Sequence, residues 1–148
     1  MTPRKILKGL LRFVAELAVL TALLMAVNIL WRGMYLIGIP STGSVAETSI
    51  SYPALTDEVK TVRSPEDLEL TVKLSGFLRY DLFAQPDESG EPLITLSYHT
   101  LDGGTVTVSA NRTTVWWHGK AHAIKDPDLF INLIEGIFFL EEAQSAST

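Results

Sequence analysis

The 148-residue chain contains no cysteine. That absence excludes disulfides, thiolate zinc sites, thiol catalysis and an anchor attached through a cysteine-linked lipid. A small domain without these devices must rely on its hydrophobic core, and about 100 residues suffice for one such core and not for two. Catalytic signatures are missing too. There is no G-x-S-x-G, S-x-x-K, H-E-x-x-H or phosphate-cradling glycine loop. The segment Asp87-Glu88-Ser89-Gly90-Glu91 lacks the ligand spacing of a calcium loop. No internal repeat is present.

Cations become scarce after the first 31 residues. Residues 32–148 carry 16 Asp/Glu against 8 Lys/Arg. Such an acidic segment is a poor partner for nucleic acid or anionic headgroups, and nothing in it resembles a nucleic-acid footprint.

What the chain does have is one long apolar run, Phe13 to Trp31, preceded by Arg4, Lys5, Lys8 and Arg12. Its 19 residues match the roughly 20 helical residues that cross a hydrocarbon core of about 30 Å. Trp31 and Tyr35, one helical turn apart, suit the headgroup zone, and Pro40 ends the segment. Four basic residues precede the span, and only Arg32 follows within the next 28 residues. The bias places residues 1–12 in the cytoplasm, 13–31 in the cell membrane and the remainder outside, as a single-pass protein.

A cleaved secretory signal is the competing reading, because Ser44-Val45-Ala46 resembles a small-x-small cleavage site. The apolar run is longer than the roughly 7–15 residues of such a signal, and the site lies 15 residues beyond Trp31. A retained anchor is therefore favoured. Within it Glu16 pairs with Arg12 one turn earlier. Ala18, Ala22 and Ala26 form a small-xxx-small ridge, which with Asn28 suits contact with another transmembrane helix.

Residues 32–46 read as an interfacial segment and linker, 47–142 as the outer domain and 143–148 as a flexible tail. Ala46, Thr48, Ile50 and Tyr52 alternate with polar residues, as in a strand ending at Pro53. Ser64-Pro65-Glu66-Asp67 starts a helix that the spacing extends to about Tyr80. Over 93–124 the pattern predicts an antiparallel meander of four strands. Turns at Asp102-Gly103-Gly104, Asn111-Arg112 and Gly119-Lys120 set Tyr98 opposite Val108, Val108 opposite Val115, and Val115 opposite Ile124. Asp126-Pro127-Asp128 then opens a helix to about Leu140, with Phe130, Leu133, Ile134, Ile137 and Phe138 at core spacing. At about 14 residues it is too short to span a membrane.

Strand, helix, four-strand meander and helix make a two-layer α+β domain, an antiparallel sheet with both helices on one face. The order resembles the TATA-binding-protein-like arrangement, an analogy of topology alone.

Adjacent Trp116 and Trp117 must point to opposite faces of the sheet. Trp117 takes the apolar face. Trp116 then stands on the open face, in a row with His99, Thr107 and Ala123 and beside Ser97, as a ligand or partner surface. A long loop or the linker lying over Trp116 is the structural alternative. His99, His118 and His122 do not make a metal site, because the meander puts His99 and His118 on the open face and His122 on the other. No catalytic residue and no cofactor are implied.

Arg4-Lys5 before the span, Ser64-Pro65-Glu66-Asp67-Leu68, the Gly103/Gly104 hairpin and the Val115-Trp116-Trp117 strand together resemble small single-span, outward-facing proteins of Gram-positive bacteria that carry domains of unknown function. The resemblance implies no activity. The expectation is a membrane-tethered, non-enzymatic binding or sensory module contacting a protein or envelope ligand, or a second copy of itself. The alternatives are an accessory subunit of a membrane complex, recruited through its span, and an envelope hydrolase whose site is unrecognised.

Overall fold

The computed structural model describes residues 3–148, so the first two residues of the basic tail lie outside the described residues. The chain divides into two compact units, Met1–Gly33 and Met34–Thr148.

The first unit is one helix, α1 (Pro3–Arg32), in which no residue is buried. It is long and apolar enough to cross a membrane. The Arg12 guanidinium donates to the Glu16 carboxylate at 2.8 Å, so the acid near the start of the span is matched within its own helix. Gly33 ends the helix. Its φ of 76° is easy only for glycine, and its N–H donates to the Ile29 carbonyl at 2.8 Å.

The second unit is an eight-stranded antiparallel sheet with helices. Its strands are β1 (Met34–Tyr35), β2 (Val45–Ser51), β3 (Lys60–Val62), β4 (Arg79–Asp81), β5 (Ile94–Thr100), β6 (Thr105–Ala110), β7 (Thr114–Trp117) and β8 (Lys120–Lys125). Across the sheet they run β1-β4-β8-β7-β6-β5-β2-β3. The helices are α2 (Pro65–Ser75), α3 (Pro127–Phe138) and α4 (Leu140–Ala146). The α+β class and the four-strand meander stand as expected, while β1, β3 and β4 are additions.

Residues 34–46, expected as linker, belong to the domain. Met34 and Tyr35 pair with Tyr80 and Arg79. Leu36 and Ile39 pack on the core, and Val45 is 5% exposed. The Ser44-Val45-Ala46 sequence thus runs from a 3-10 turn into β2. A register shift between Val45 and Glu47 gives Val45 the inward place expected of Ala46.

The core face carries Ile50 from β2, Ile94, Leu96 and Tyr98 from β5, Val108 from β6 and Val115 from β7, all fully buried. Alternation along each strand follows from the pleat. Ser64 caps α2 by accepting the Asp67 N–H at 3.1 Å, with Pro65 in the first turn. The helix ends at Ser75 and not near Tyr80, because the Gly76 N–H turns back to the Lys73 and Val72 carbonyls. Buried hydroxyls between sheet and helix are paired. Thr48 meets Thr71 at 3.2 Å, Thr71 donates to the Leu68 carbonyl at 2.9 Å, and the Tyr98 hydroxyl donates to the Thr71 carbonyl at 2.8 Å.

Pro127 opens α3, but Asp126 lies in the left-handed region (φ 52°) and its side chain makes no cap. The buried stripe also differs from expectation: Phe130, Ile131, Ile134 and Phe139 are inside, and Ile137 is exposed. Phe139 leaves helical geometry at φ −130° and meets Tyr52 edge-on, with ring centroids 5.5 Å apart. Lys60 lies 4.8 Å from the Phe139 ring centre, donates to the Phe138 carbonyl at 2.6 Å and pairs with Glu142 at 2.6 Å. One cation therefore neutralises the carbonyl end of α3 and ties down α4. That short helix occupies most of the expected loose tail.

The Tyr52 hydroxyl donates to the Glu135 carboxylate. Burial, then this bond, then the carboxylate's charge push its pKa from 10.0 up to about 12. Burial also raises the pKa of Tyr98. The folded domain holds these protons more tightly than the unfolded chain does. The stability they contribute is complete below pH 10.0, and it falls as the pH climbs through the raised Tyr52 value. An alkaline titration is expected to show both phenolates appearing together with loss of the circular dichroism signal. Ionisation of both rings in a still-folded domain would contradict the burial argument.

Candidate open-face surface

Both expected tryptophan placements are found. Trp117 packs at the margin of the core, and Trp116 lies on the opposite face. The neighbours of Trp116 are different from those expected. It pairs with Ser109 on β6 and Ala121 on β8, whereas His99 pairs with Thr105 and Glu47, and Thr107 with Ser97. Every turn of the meander displaces the register by two residues. Thr100 binds the Asp102 carboxylate and donates to the Gly104 carbonyl at 3.0 Å, which closes the first turn one residue early and brings Leu101 into it. The Asn111 side-chain oxygen accepts from the N–H groups of Thr113 and Thr114 at 2.9 and 2.8 Å, which lengthens the second. The third is His118-Gly119, with φ of 50° and 70°, the pair of positive values that a tight hairpin turn needs. A displacement by two keeps each side chain on its face. Faces are therefore as expected, and rows are not.

The open face has two halves. One is a field of hydroxyls around a histidine. Ser97 meets Thr107 at 3.4 Å, Thr95 meets Ser109 at 2.9 Å, and His99 reaches Ser49 at 3.4 Å and Thr105 at 3.2 Å. Thr107 is exposed, while Ser97 and His99 are half-buried. The other half lies under the chain joining β4 to β5. The Thr114 hydroxyl donates to the Asp87 carbonyl at 2.7 Å, and Asn111 donates to the Glu91 carbonyl at 3.1 Å. Thr114 is fully buried and Ser109 and Ala123 are 8% exposed, so the crossing shields a strip of the sheet. Trp116 sits half-buried at its margin. It opens into a depression of about 450 Å³, shared with Glu88, Lys120 and Ala121. A larger one of about 590 Å³, lined by Pro53, Leu93 and Arg112 among others, lies near the turn between β6 and β7. Sequence pattern gives no sign of it, because separate loops assemble it.

The histidines are arranged differently from expectation in one respect. His118 does not close the open face. Its ring lies tilted against Trp117, with centroids 4.5 Å apart, because positive φ turns it toward the core side. His122 lies on that side too, 4.6 Å from Tyr80 and 6.0 Å from Trp117, and His99 is on the other. Burial, then the charge of Lys120, holds His122 below its usual pKa. Among the described residues no group of three His, Asp or Glu side chains is placed to hold a metal ion.

The helical contact candidates Ala18, Ala22, Ala26 and Asn28 are all exposed along α1. Searches of family models, curated proteins and solved structures give no match to the chain.

Proposed function

We propose that the chain is a membrane-tethered, non-enzymatic binding module, held by α1 with its N-terminus in the cytoplasm and presenting the open sheet face outside the cell membrane. The observation that carries this reading is the bare half of that face. The core is closed by helices on the other side, so Ser97, Thr107 and His99 are not needed for packing. Beside them Trp116 offers a broad, rigid aromatic surface at the lip of a depression. Hydroxyls flanking an aromatic suit a protein segment or an envelope glycan. Retention of the anchor is supported by the place of Ser44-Val45-Ala46 inside folded structure.

Trp116→Ala is expected to lower affinity for the partner by about 2 kcal/mol, or roughly 30-fold, the cost of truncating a hot-spot tryptophan. Crosslinking in intact cells, with thermal melting as the control for folding, measures this. A folded Trp116→Ala protein with an unchanged set of crosslinked neighbours counts against the module. The exposed Ala18, Ala22, Ala26 ridge favours a second reading, recruitment into a membrane complex. Replacing the span with an unrelated apolar helix then removes the neighbours, whereas the module reading leaves them in place.

A further inference from the structure

The sheet edge built by β1 and β4 carries a concentration of exposed apolar side chains. Tyr35 and Ile37 are 55% and 66% exposed, Phe77 and Leu82 43% and 49%, and Phe83 72%. All five lie on these two strands or directly flank them. Phe83 is presented by a fixed turn, since the Asp81 carboxylate accepts its N–H at 2.9 Å. Arg79 lies 4.6 Å over the Tyr35 ring and donates to its hydroxyl at 2.8 Å, and Arg79 pairs with Lys125 on β8. Tyr35, Arg79 and Lys125 thus form one row across three strands.

Charge is distributed unevenly in the same sense. Of the 17 acidic residues, all but Glu16 lie beyond α1. The segments that build this edge, residues 34–41, 76–83 and 118–125, hold only one of them, Asp81, against Arg79, Lys120 and Lys125. The domain is strongly acidic as a whole, whereas these segments carry three cations against one acid, with Glu88 the nearby carboxylate at Lys120.

We propose that the β1–β4 edge is a second membrane contact, lying in the headgroup layer of the bilayer that α1 spans, with anionic phospholipid as its ligand. The proposal rests on the anchoring reading above. Chain length supports it independently of how the two units are oriented. Only Gly33 separates α1 from β1. Fully extended chain covers about 3.5 Å per residue, so Tyr35 is held within roughly 11 Å of Arg32 and Ile37 within roughly 18 Å. The headgroup region is itself about 6 Å deep on each side. Aromatic rings with flanking cations are the composition that collects in that layer. Pairing of Met34 with Tyr80 and Tyr35 with Arg79 sets the start of β1 beside the end of β4 that leads into Leu82 and Phe83. Phe83 is therefore carried at the end of the sheet where the chain arrives from α1.

The absence of native cysteine makes the test direct. Full-length Leu20→Cys, Ile37→Cys, Phe83→Cys and Ser97→Cys proteins are each labelled with an environment-sensitive fluorophore and reconstituted in vesicles containing phosphatidylglycerol. Nitroxide lipids then report depth. Deep quenching at position 20, shallow quenching at 37 and 83 several-fold greater than at 97, and weaker quenching at 83 in phosphatidylcholine alone are the expected results. Quenching at 20 without quenching at 37 and 83 overturns the edge contact and leaves the anchor standing. Lack of quenching at 20 removes the anchor and the edge contact together. Shielding of 83 in native membranes but not in lipid vesicles assigns the edge to a protein and overturns the proposal.

Discussion

Tyr98→Ala is expected to cost about 3–5 kcal/mol, the range for truncating a large buried aromatic, and to lower the melting temperature steeply. A domain of this size has about 5–15 kcal/mol to lose. Tyr98 is fully buried on β5, between β2 and β6, and its hydroxyl is the polar bolt between sheet and α2. It donates to the Thr71 carbonyl and receives the Ser75 hydroxyl. The substitution therefore opens a cavity, removes the buried acceptor of the Ser75 hydroxyl and takes one bond from the Thr71 carbonyl. Tyr98→Phe isolates the second loss, for which about 1–3 kcal/mol is expected. Chemical denaturation of both variants measures the split. Equal stability of Tyr98→Phe and the parent chain would mean that the hydroxyl contributes nothing net.

The second large effect concerns where the domain begins. A chain starting at Glu47, as cleavage after Ala46 would leave, is expected not to fold, while one starting at Met34 folds. The shorter chain lacks β1, the buried Val45, and the core contacts of Met34, Leu36 and Ile39. It also lacks the Ser44 carbonyl that accepts the Leu101 N–H at 2.8 Å. Full burial of one such side chain contributes about 1.5–3 kcal/mol, and three of the four are only half buried. Their sum still approaches the whole stability of the domain. Circular dichroism melts and limited proteolysis of the two chains decide the matter. A cooperative transition from the Glu47 chain would show residues 34–46 to be dispensable.

These effects mark the boundary between what sequence pattern reveals and what it conceals. Alternation over 93–124 identifies the meander and its faces, because alternation depends only on parity. Register depends on side-chain bonds inside the turns. Those made by Thr100 and Asp102 shift the first turn off its Gly signal, and those made by Asn111 lengthen the second. Strands β1, β3 and β4 have two or three residues each, too few to show a period. The stripe on α3 is misjudged because the segment is apolar nearly all round, so spacing alone does not choose a face. Trp116 is legible as an open-face residue, and a long loop as its partial cover, but the path of that loop over the neighbouring strands is not. Its path is fixed by Thr114 and Asn111 reaching backbone carbonyls twenty and more residues away.

The short strands at the two margins of the sheet also bear on crowding. Copies held on one surface meet one another at far higher density than copies in solution, and every unpaired strand is a template for the next molecule. β1 offers two residues and β3 three, enough for a ladder of only one or two bonds. On β3, Lys60 is already committed to α3 and α4. Such margins do not propagate a shared sheet from molecule to molecule. On the membrane-tethered reading, neighbouring domains therefore gain little from pairing edge to edge.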